Sequence, residues 1–316
     1  MILTVTPNAT VDKTYRVDDF QLNQVHRPQQ TLTVAGGKGI NVARVYRTLG
    51  GDALATGFLG GEQGRIVARE LAREDIAGDF VGVAGETRVC IAIVDPTNGT
   101  QTEVNERGPN VTLNEVNALR DKFSRLLSQQ PFDFVVLSGS LPPDAPDTLY
   151  AELIAIARTA NVPAVLDASG DALRQGIAAR PWLVKPNQFE LQALLNRPIV
   201  SEAEILGAAR ELHQSGIAHV IASRGAQGAV YVGDSGRWQA VPPQIEFASA
   251  VASGDSFVAA FLWAWQFGEK PQDPETALRL ATGAGAANAM VIGAGFCSRE
   301  SIFEQAARSE VRCIAD

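Results

Sequence analysis

Val251-Ala252-Ser253-Gly254-Asp255-Ser256, followed by the apolar run Phe257-Val258-Ala259-Ala260-Phe261, is the stretch on which the reading of this chain turns. Small residues at 252–254 let a backbone come close to a ligand, and the run after them reads as the first turns of a buried helix. The free N–H groups and positive dipole end of such a helix favour an anion. Asp255 then sets a carboxylate beside that anion. Its charge is unfavourable there unless it takes a proton from an attacking hydroxyl, which outlines a phosphoryl-transfer site. The same residues also suit an ordinary N-capped helix, so the stretch needs support from elsewhere.

That support is Ala35-Gly36-Gly37-Lys38-Gly39-Ile40-Asn41-Val42-Ala43-Arg44. Three glycines around a lysine make a loop that can approach a polar ligand, and Asn41, at the start of a small-residue helix, can donate and accept at once. Such a loop suits a sugar or its phosphate. It lacks the Gly-x-x-x-x-Gly-Lys-Ser/Thr spacing of a Walker A loop and the Gly-x-Gly-x-x-Gly of a dinucleotide site. The absence of that fingerprint also removes an NAD-dependent oxidoreductase on a doubly wound sheet.

At 316 residues the chain exceeds the usual single-core size, yet a large α/β sheet can absorb that length. No repeat, low-complexity tract or Pro-rich linker divides it, so one domain over residues 1–316 with a small appendage is expected. Apolar residues at 46% and charged residues at 20% place it among soluble globular proteins. A net charge of −8 argues against nucleic-acid binding, while an anionic substrate would need a local basic pocket. Cys90, Cys297 and Cys313 show no ligand spacing, so neither a disulfide framework nor a zinc site is indicated and a cytoplasmic location fits. The N-terminus lacks the pattern of a signal peptide, and no stretch reaches membrane-spanning length. His26, His213 and His219 read as surface or packing residues.

Apolar runs that end in Gly, Asp, Asn or Ser alternate with amphipathic helical segments, as at Ile2 to Thr6, Phe134 to Leu137, Ala164 to Leu166 and His219 to Ala222. Short continuous apolar strands between helices mean a parallel sheet covered on both faces, with ligands gathering at the strands' carboxyl ends. Thr14 to Val34 and Arg88 to Val104 break that rhythm. They read as short antiparallel strands, either a small sheet standing off the main body or an ordinary edge hairpin.

Gly36 through Asn41 to the glycines near Gly60, and Ala252-Ser253-Gly254-Asp255 through Phe261, resemble the two signatures of the PfkB, or ribokinase-like, family of carbohydrate kinases. Ala252 stands where the commonest form has glycine, and Ala250 where Thr, Ser or Pro is usual. Pro7 to Asp12, Val136 to Pro143, Val165 to Gly170, Trp182 to Leu191 and Ile221 to Ala229 follow in the family's order, so the resemblance covers almost the whole chain. Ala35 to Arg44 and Lys185-Pro186-Asn187 are most similar to the 1-phosphofructokinase and tagatose-6-phosphate kinase branch. The resemblance implies a three-layer α/β/α sandwich with a mostly parallel central sheet. It also implies a small antiparallel β lid, approximately 14–34 and 88–104, that covers the sugar and joins a homodimer.

Phosphoryl transfer needs an anion hole, a metal, a base and cationic clamps. Asp255 is the expected base, and the N–H groups of Ala252, Ser253, Gly254 and Asp255 the expected anion hole. Asn187 and Glu190 form an Asn-x-x-Glu that the resemblance links to the hydrated Mg²⁺ of Mg-ATP; a helix-start Asn with a first-turn Glu is the alternative. A sugar phosphate requires its own cations, for which Lys38, Arg88 and Arg27 are the candidates, Arg27 also reading as a surface charge. Asp12, Gly37, Asn41 and Ser138 are expected to bind sugar hydroxyls. Lys185, Asn187, Ser223, Gly225, Gly228, Gly254 and Asn288 are expected around ATP, Asn288 also reading as a capping or packing residue. The expected reaction is ATP-dependent phosphorylation of a ketose phosphate, foremost D-fructose 1-phosphate to fructose 1,6-bisphosphate. Tagatose 6-phosphate or fructose 6-phosphate as acceptor is the alternative, and Ala252 and Ala250 leave open a weakly active sugar-phosphate-sensing relative.

Overall fold

Side chains alternate along the first strand, Ile2–Thr6, so that Ile2 enters one apolar core while Leu3 and Val5 enter another. The next strand in the sheet repeats the split: Val136 joins Ile2, and Val135 and Leu137 join Leu3. A sheet buried on both sides needs helices on both faces. The computed structural model, which describes residues 1–314, supplies them. Helices Lys38–Thr48, Ser253–Phe267 and Pro274–Ala289 cover the Ile2 side. Helices Leu113–Gln129, Leu149–Thr159, Gly170–Ala178 and Glu202–Gln214 cover the other. This is the three-layer ribokinase-like arrangement.

The sheet runs in the order Ala77–Gly78, Ala53–Leu59, Ile2–Thr6, Phe134–Ser138, Ala164–Asp167, Leu183–Val184, His219–Ser223, Ala229–Gly233, Gly236–Val241, Glu310–Cys313. Pairing is parallel as far as His219–Ser223 and antiparallel from there to the edge. The parallel register, with Val5 beside Leu137 and Leu137 beside Leu166, aligns the carboxyl ends of the strands along one rim. Asp167, Lys185, Asn187 and Ser223 all sit on or just past that rim.

A second sheet stands over it, in the order Gln30–Gly36, Thr10–Arg16, Arg88–Asp95, Thr100–Asn105. Its outer pairings are antiparallel, and its central pairing, Thr10–Arg16 with Arg88–Asp95, is parallel. The first of these strands starts at Thr10 rather than Thr14. Thr10 and Val11 are buried and the residues after them half-buried, so no apolar–polar alternation marks where the strand begins. The connection 17–29 is tied down by Asp95, whose carboxylate accepts from the backbone N–H groups of Asp19 and Phe20 and from the Asn98 side chain. Burial opposes its charge, yet those bonds hold its carboxyl down at about 2. Among the described residues, no helix is long and apolar enough to cross a membrane.

The helix Ser253–Phe267 is held from behind by aromatic packing. Phe261, 1% exposed, stacks on Trp265 at 5.5 Å between centroids and lies 6.2 Å from Tyr231. Phe261→Ala is expected to lower unfolding free energy by about 3–5 kcal/mol in a denaturant titration, the usual loss for a buried ring; a change below about 1 kcal/mol would contradict this packing.

Candidate active site

The glycine loop takes its shape from what its missing side chains permit. Gly37 caps the helix Lys38–Thr48 at φ 107°, and a Cβ there would lie 2.6 Å from Thr6 Cγ2. A Cβ on Gly36 would lie 2.1 Å from the Asp12 carboxylate. The loop therefore closes on the end of the first strand and turns Lys38 and Asn41 into a cleft of about 380 Å³ beneath the small sheet. Asp12, Gly37, Lys38, Asn41 and Arg88 line one side, and Ala252, Gly254 and Asp255 the other.

The charges in this cleft are interlocked. Lys38 Nζ lies 3.2 Å from Asp167 Oδ2 and 3.5 Å from Asp255 Oδ1, and Lys185 Nζ lies 3.3 Å from the same Asp167 oxygen. Asp167, Asp255 and Lys185 are 1%, 3% and 4% exposed, so these ions have little water to solvate them. Burial pushes Asp167 up, but the Lys185 and Lys38 ammoniums outweigh it and hold the carboxyl below its usual range. Asp255 is raised instead, because burial and the charge of Asp167 outweigh the opposing pull of Lys38 and Asn41. Asp167 and Asp255, with Asp167 outweighing the effect of burial, raise Lys38 above its usual value. A carboxylate kept ionisable but more basic than usual is suited to taking a proton from an alcohol. Asn41 Nδ2 donates to Asp255 Oδ2 at 2.9 Å, leaving the first oxygen facing Lys38 and the cleft.

Asp255 belongs to the first turn of the helix Ser253–Phe267, which begins from Ala252 in the left-handed region at φ 63°, ψ 8°. Alanine thus adopts the conformation for which glycine is favoured. The Ser253 N–H donates to Ala250 O, so it is not available to an anion as the sequence suggested. Among the described residues, the N–H groups of Ala252, Gly254 and Asp255 have no protein acceptor. Lys185 Nζ lies under this turn, 3.4 Å from where a Gly254 Cβ would be. Free amides, a helix N-terminus and an ammonium converge on one anion-sized space.

Other expected residues are placed variously. Lys185, Asn187 and Ser223 reach successive strand ends, with Gly225 and Gly228 in the turn that follows. Asn187 and Glu190 make a reciprocal capping box, Glu190 N to Asn187 Oδ1 at 2.9 Å and Asn187 N to Glu190 Oε2 at 2.8 Å. Glu190 keeps its other oxygen free of a hydrogen-bond partner among the described residues, and burial and Asp167 push its carboxyl up against the nearby lysines. A dication carrying water fits that half-buried acidic edge. Arg88 lines the cleft while donating to Asn8 O at 3.0 Å and Glu106 O at 3.2 Å. Arg224 pairs with Glu202 at 3.0 Å.

Two further expectations are corrected. Arg27 is exposed on the 17–29 connection and does not line the cleft, because antiparallel pairing puts that connection a strand length, roughly 20 Å, from Gly36. Ser138 ends its strand in register with Asp167, 0% exposed and with its hydroxyl oxygen unpaired among the described residues. Asn288 is 0% exposed, and its amide is consumed by the protein: Nδ2 donates to Val251 O and Ser253 Oγ, and Oδ1 accepts from Gly295 N. It braces the Val251–Ser253 turn.

Two features escaped sequence reading. Asp167 was visible only as one residue of a strand end, and nothing in its spacing announces two lysines from distant segments. Ser249 Oγ donates to Gln101 Oε1 at 3.0 Å and accepts from Val251 N, joining the small sheet to the anion turn. A lone Ser and a lone Gln carry no sequence signal for such a contact.

The chain belongs to the pfkB family of carbohydrate kinases, whose model matches residues 5–301. It is similar to 1-phosphofructokinase of Borreliella burgdorferi, 33% identical over 291 residues and 92% of each chain. The crystal structure of a possible 1-phosphofructokinase from Thermotoga maritima covers 100% of both chains at 28% identity and a TM-score of 0.90. Phosphofructokinase-2 from Escherichia coli, solved with substrates and products, covers 97% of this chain and 98% of its own at 30% identity and a TM-score of 0.89.

Ala252→Gly is expected to stabilise the protein by about 1 kcal/mol, since glycine takes φ 63° without the Cβ clash; destabilisation in chemical denaturation would contradict the left-handed assignment. Burial, opposed by Arg44 and Arg88, raises Asp12 from its ordinary 3.8 to about 6. The folded chain therefore holds this proton more tightly, and the associated stability is present below 3.8 and lost as pH rises through about 6. Asp12→Asn should accordingly raise the melting temperature at pH well above 6, with the gain shrinking to nothing as pH falls toward 3.8. A gain independent of pH would refute the assignment.

Proposed function

We propose that this carbohydrate kinase transfers the γ-phosphoryl group of ATP to a fructose phosphate, with D-fructose 1-phosphate as acceptor and fructose 1,6-bisphosphate as product. The observation that carries the reading is Asp255: a buried carboxylate, held by Asn41 and Lys38, on the first turn of a helix whose leading amides have no protein acceptor. The acceptor hydroxyl gives its proton to Asp255, its oxygen bonds to the γ-phosphorus, and the bond to ADP's leaving oxygen breaks. The N–H groups of Gly254 and Asp255, with Lys185 beneath them, are directed at the charge on the moving phosphoryl oxygens. Lys38, between two carboxylates, prevents their charges from repelling the incoming anions.

Asn187 and Glu190 would hold the Mg²⁺ that accompanies ATP, through its water. When bound there the ion would supply positive charge to the phosphates. Asp12 and Asn41 reach the sugar hydroxyls, and Arg88 and Lys38 supply positive charge near the acceptor's own phosphate. Ala252 keeps a glycine-like turn, which supports an active enzyme rather than a sensing relative. The names of the Borreliella and Thermotoga relatives favour the 1-phosphate; the Escherichia coli relative is named phosphofructokinase-2 and has been solved with fructose-6-phosphate.

The test is a coupled assay of ADP release with fructose 1-phosphate, fructose 6-phosphate, tagatose 6-phosphate and free fructose. Fructose 1-phosphate should have the highest kcat/KM. A tenfold preference for another phosphorylated ketose would move the activity, and a preference for free sugar would refute a phosphate-bearing acceptor. Asp255→Asn should fold, bind ATP and lose roughly two to four orders of magnitude in kcat. Retention of more than a tenth of turnover would remove Asp255 as the base.

A further inference from the structure

Arg44 is a buried arginine, 5% exposed, that lines neither side of the cleft, yet all five of its N–H donors have acceptors. Nε and Nη2 form a fork on Glu74 at 2.5 and 3.0 Å, just beyond the helix Gly61–Arg73. Nη2 also donates to Ala35 O at 2.6 Å, the carbonyl that leads into the glycine loop. Nη1 donates to Ala294 O at 2.7 Å and to Asn41 Oδ1 at 2.9 Å. Such a fully satisfied fork has one geometry, because moving it breaks several bonds at once.

The bond to Asn41 decides which way an amide faces. With Oδ1 taken by Arg44, the amide presents its NH₂ group to Asp255 Oδ2, at 2.9 Å. The flipped amide would set an oxygen against the carboxylate and an NH₂ against the guanidinium, losing both bonds and adding two repulsions. The other contact reaches the opposite wall. Ala294 O accepts from Arg44, the next residue's N–H donates to Asn288 Oδ1, and Asn288 Nδ2 grips Val251 O and Ser253 Oγ. One unbroken series of bonds thus runs from Glu74 to the base on one branch and to the anion turn on the other.

We propose that Arg44 is a positioning residue for phosphoryl transfer, which fixes the Asn41 amide toward Asp255 and holds the 294–295 segment in register with the Val251–Ser253 turn. This rests on Asp255 being the base. Arg44 works through bonds more than charge, since Glu74 neutralises it. The charged groups facing Asp255 are Lys38, Asp167, Lys185 and, across the cleft, Asp12; of these only Asp12 also faces Arg44.

Arg44→Lys keeps a cation for Glu74 but cannot serve Asn41, Ala35 and Ala294 together. Its kcat should fall by up to about a hundredfold, with the KM for ATP little changed. The acidic limb of its kcat–pH profile should move to higher pH, because Asp255 loses a reliable donor. The pair Arg44→Gln with Glu74→Gln, which leaves no buried charge unpaired, should show the same shift and serves if Arg44→Lys does not fold. In an Asn41→Ala background, either change should move the limb no further, since the path through the amide is already cut. An unmoved limb in a folded variant would overturn the proposal. So would a shift that persists beside Asn41→Ala, which would place the effect on Asp12, a carboxylate Arg44 also faces. Full turnover by Asp255→Asn would instead remove the base itself, an outcome separable from both.

Discussion

One carboxylate oxygen shared by two ammonium groups organises the centre of this enzyme. Asp167 comes from the end of one strand, Lys38 from the glycine loop and Lys185 from the end of the next strand, and the three meet where the sheet's rim is buried. Neither Asp167 nor Lys185 would be tolerated alone at such depth, because the desolvation of each is offset by the other and by Lys38, which keeps part of its side chain in water. That mutual dependence constrains the backbone. The glycine loop must bring Lys38 inward, which requires Gly37 at a positive φ, and the turn at 251–254 lies over Lys185. Asp255 is left as the carboxylate without a full share of cation, and so as the one whose proton affinity rises.

The main layers were legible because they follow from periodicity. Continuous apolar strands at Ile2–Thr6 and Phe134–Ser138 demand cover on both faces, and the split between Leu3 and Ile2 shows that cover in place. The loop at 36–41 and the turn at 252–255 were legible because small residues mark close backbone approach. Arg27 was misplaced because it lies near the right strands in sequence but at their far end, a matter of register that local pattern does not carry.

Asn288 and Arg44 show a further kind of information that sequence withholds. Both are polar residues on helices that cover the same face of the sheet, and from pattern alone each suits a ligand, a cap or the surface. Their amide and guanidinium groups are instead saturated by backbone and side-chain partners from separate segments. Satisfying a buried polar group completely makes it a fixed strut, because any displacement leaves donors unpaired at a cost of about 1–3 kcal/mol each. Precision in this cleft therefore derives from residues that do not enter it.

The parallel pairing at the centre of the small sheet has a bearing on how the chain folds. An antiparallel hairpin can close by itself, but Thr10–Arg16 and Arg88–Asp95 lie side by side only after the intervening chain has made the glycine loop, the helix Lys38–Thr48, the strand Ala53–Leu59 and the helix Gly61–Arg73. The entropy of that closure falls on the central pairing alone, since the two outer pairings, Thr10–Arg16 with Gln30–Gly36 and Arg88–Asp95 with Thr100–Asn105, are antiparallel and local. The cover of the cleft is thus two local hairpins whose joining depends on the glycine loop and the two helices that separate them in the chain.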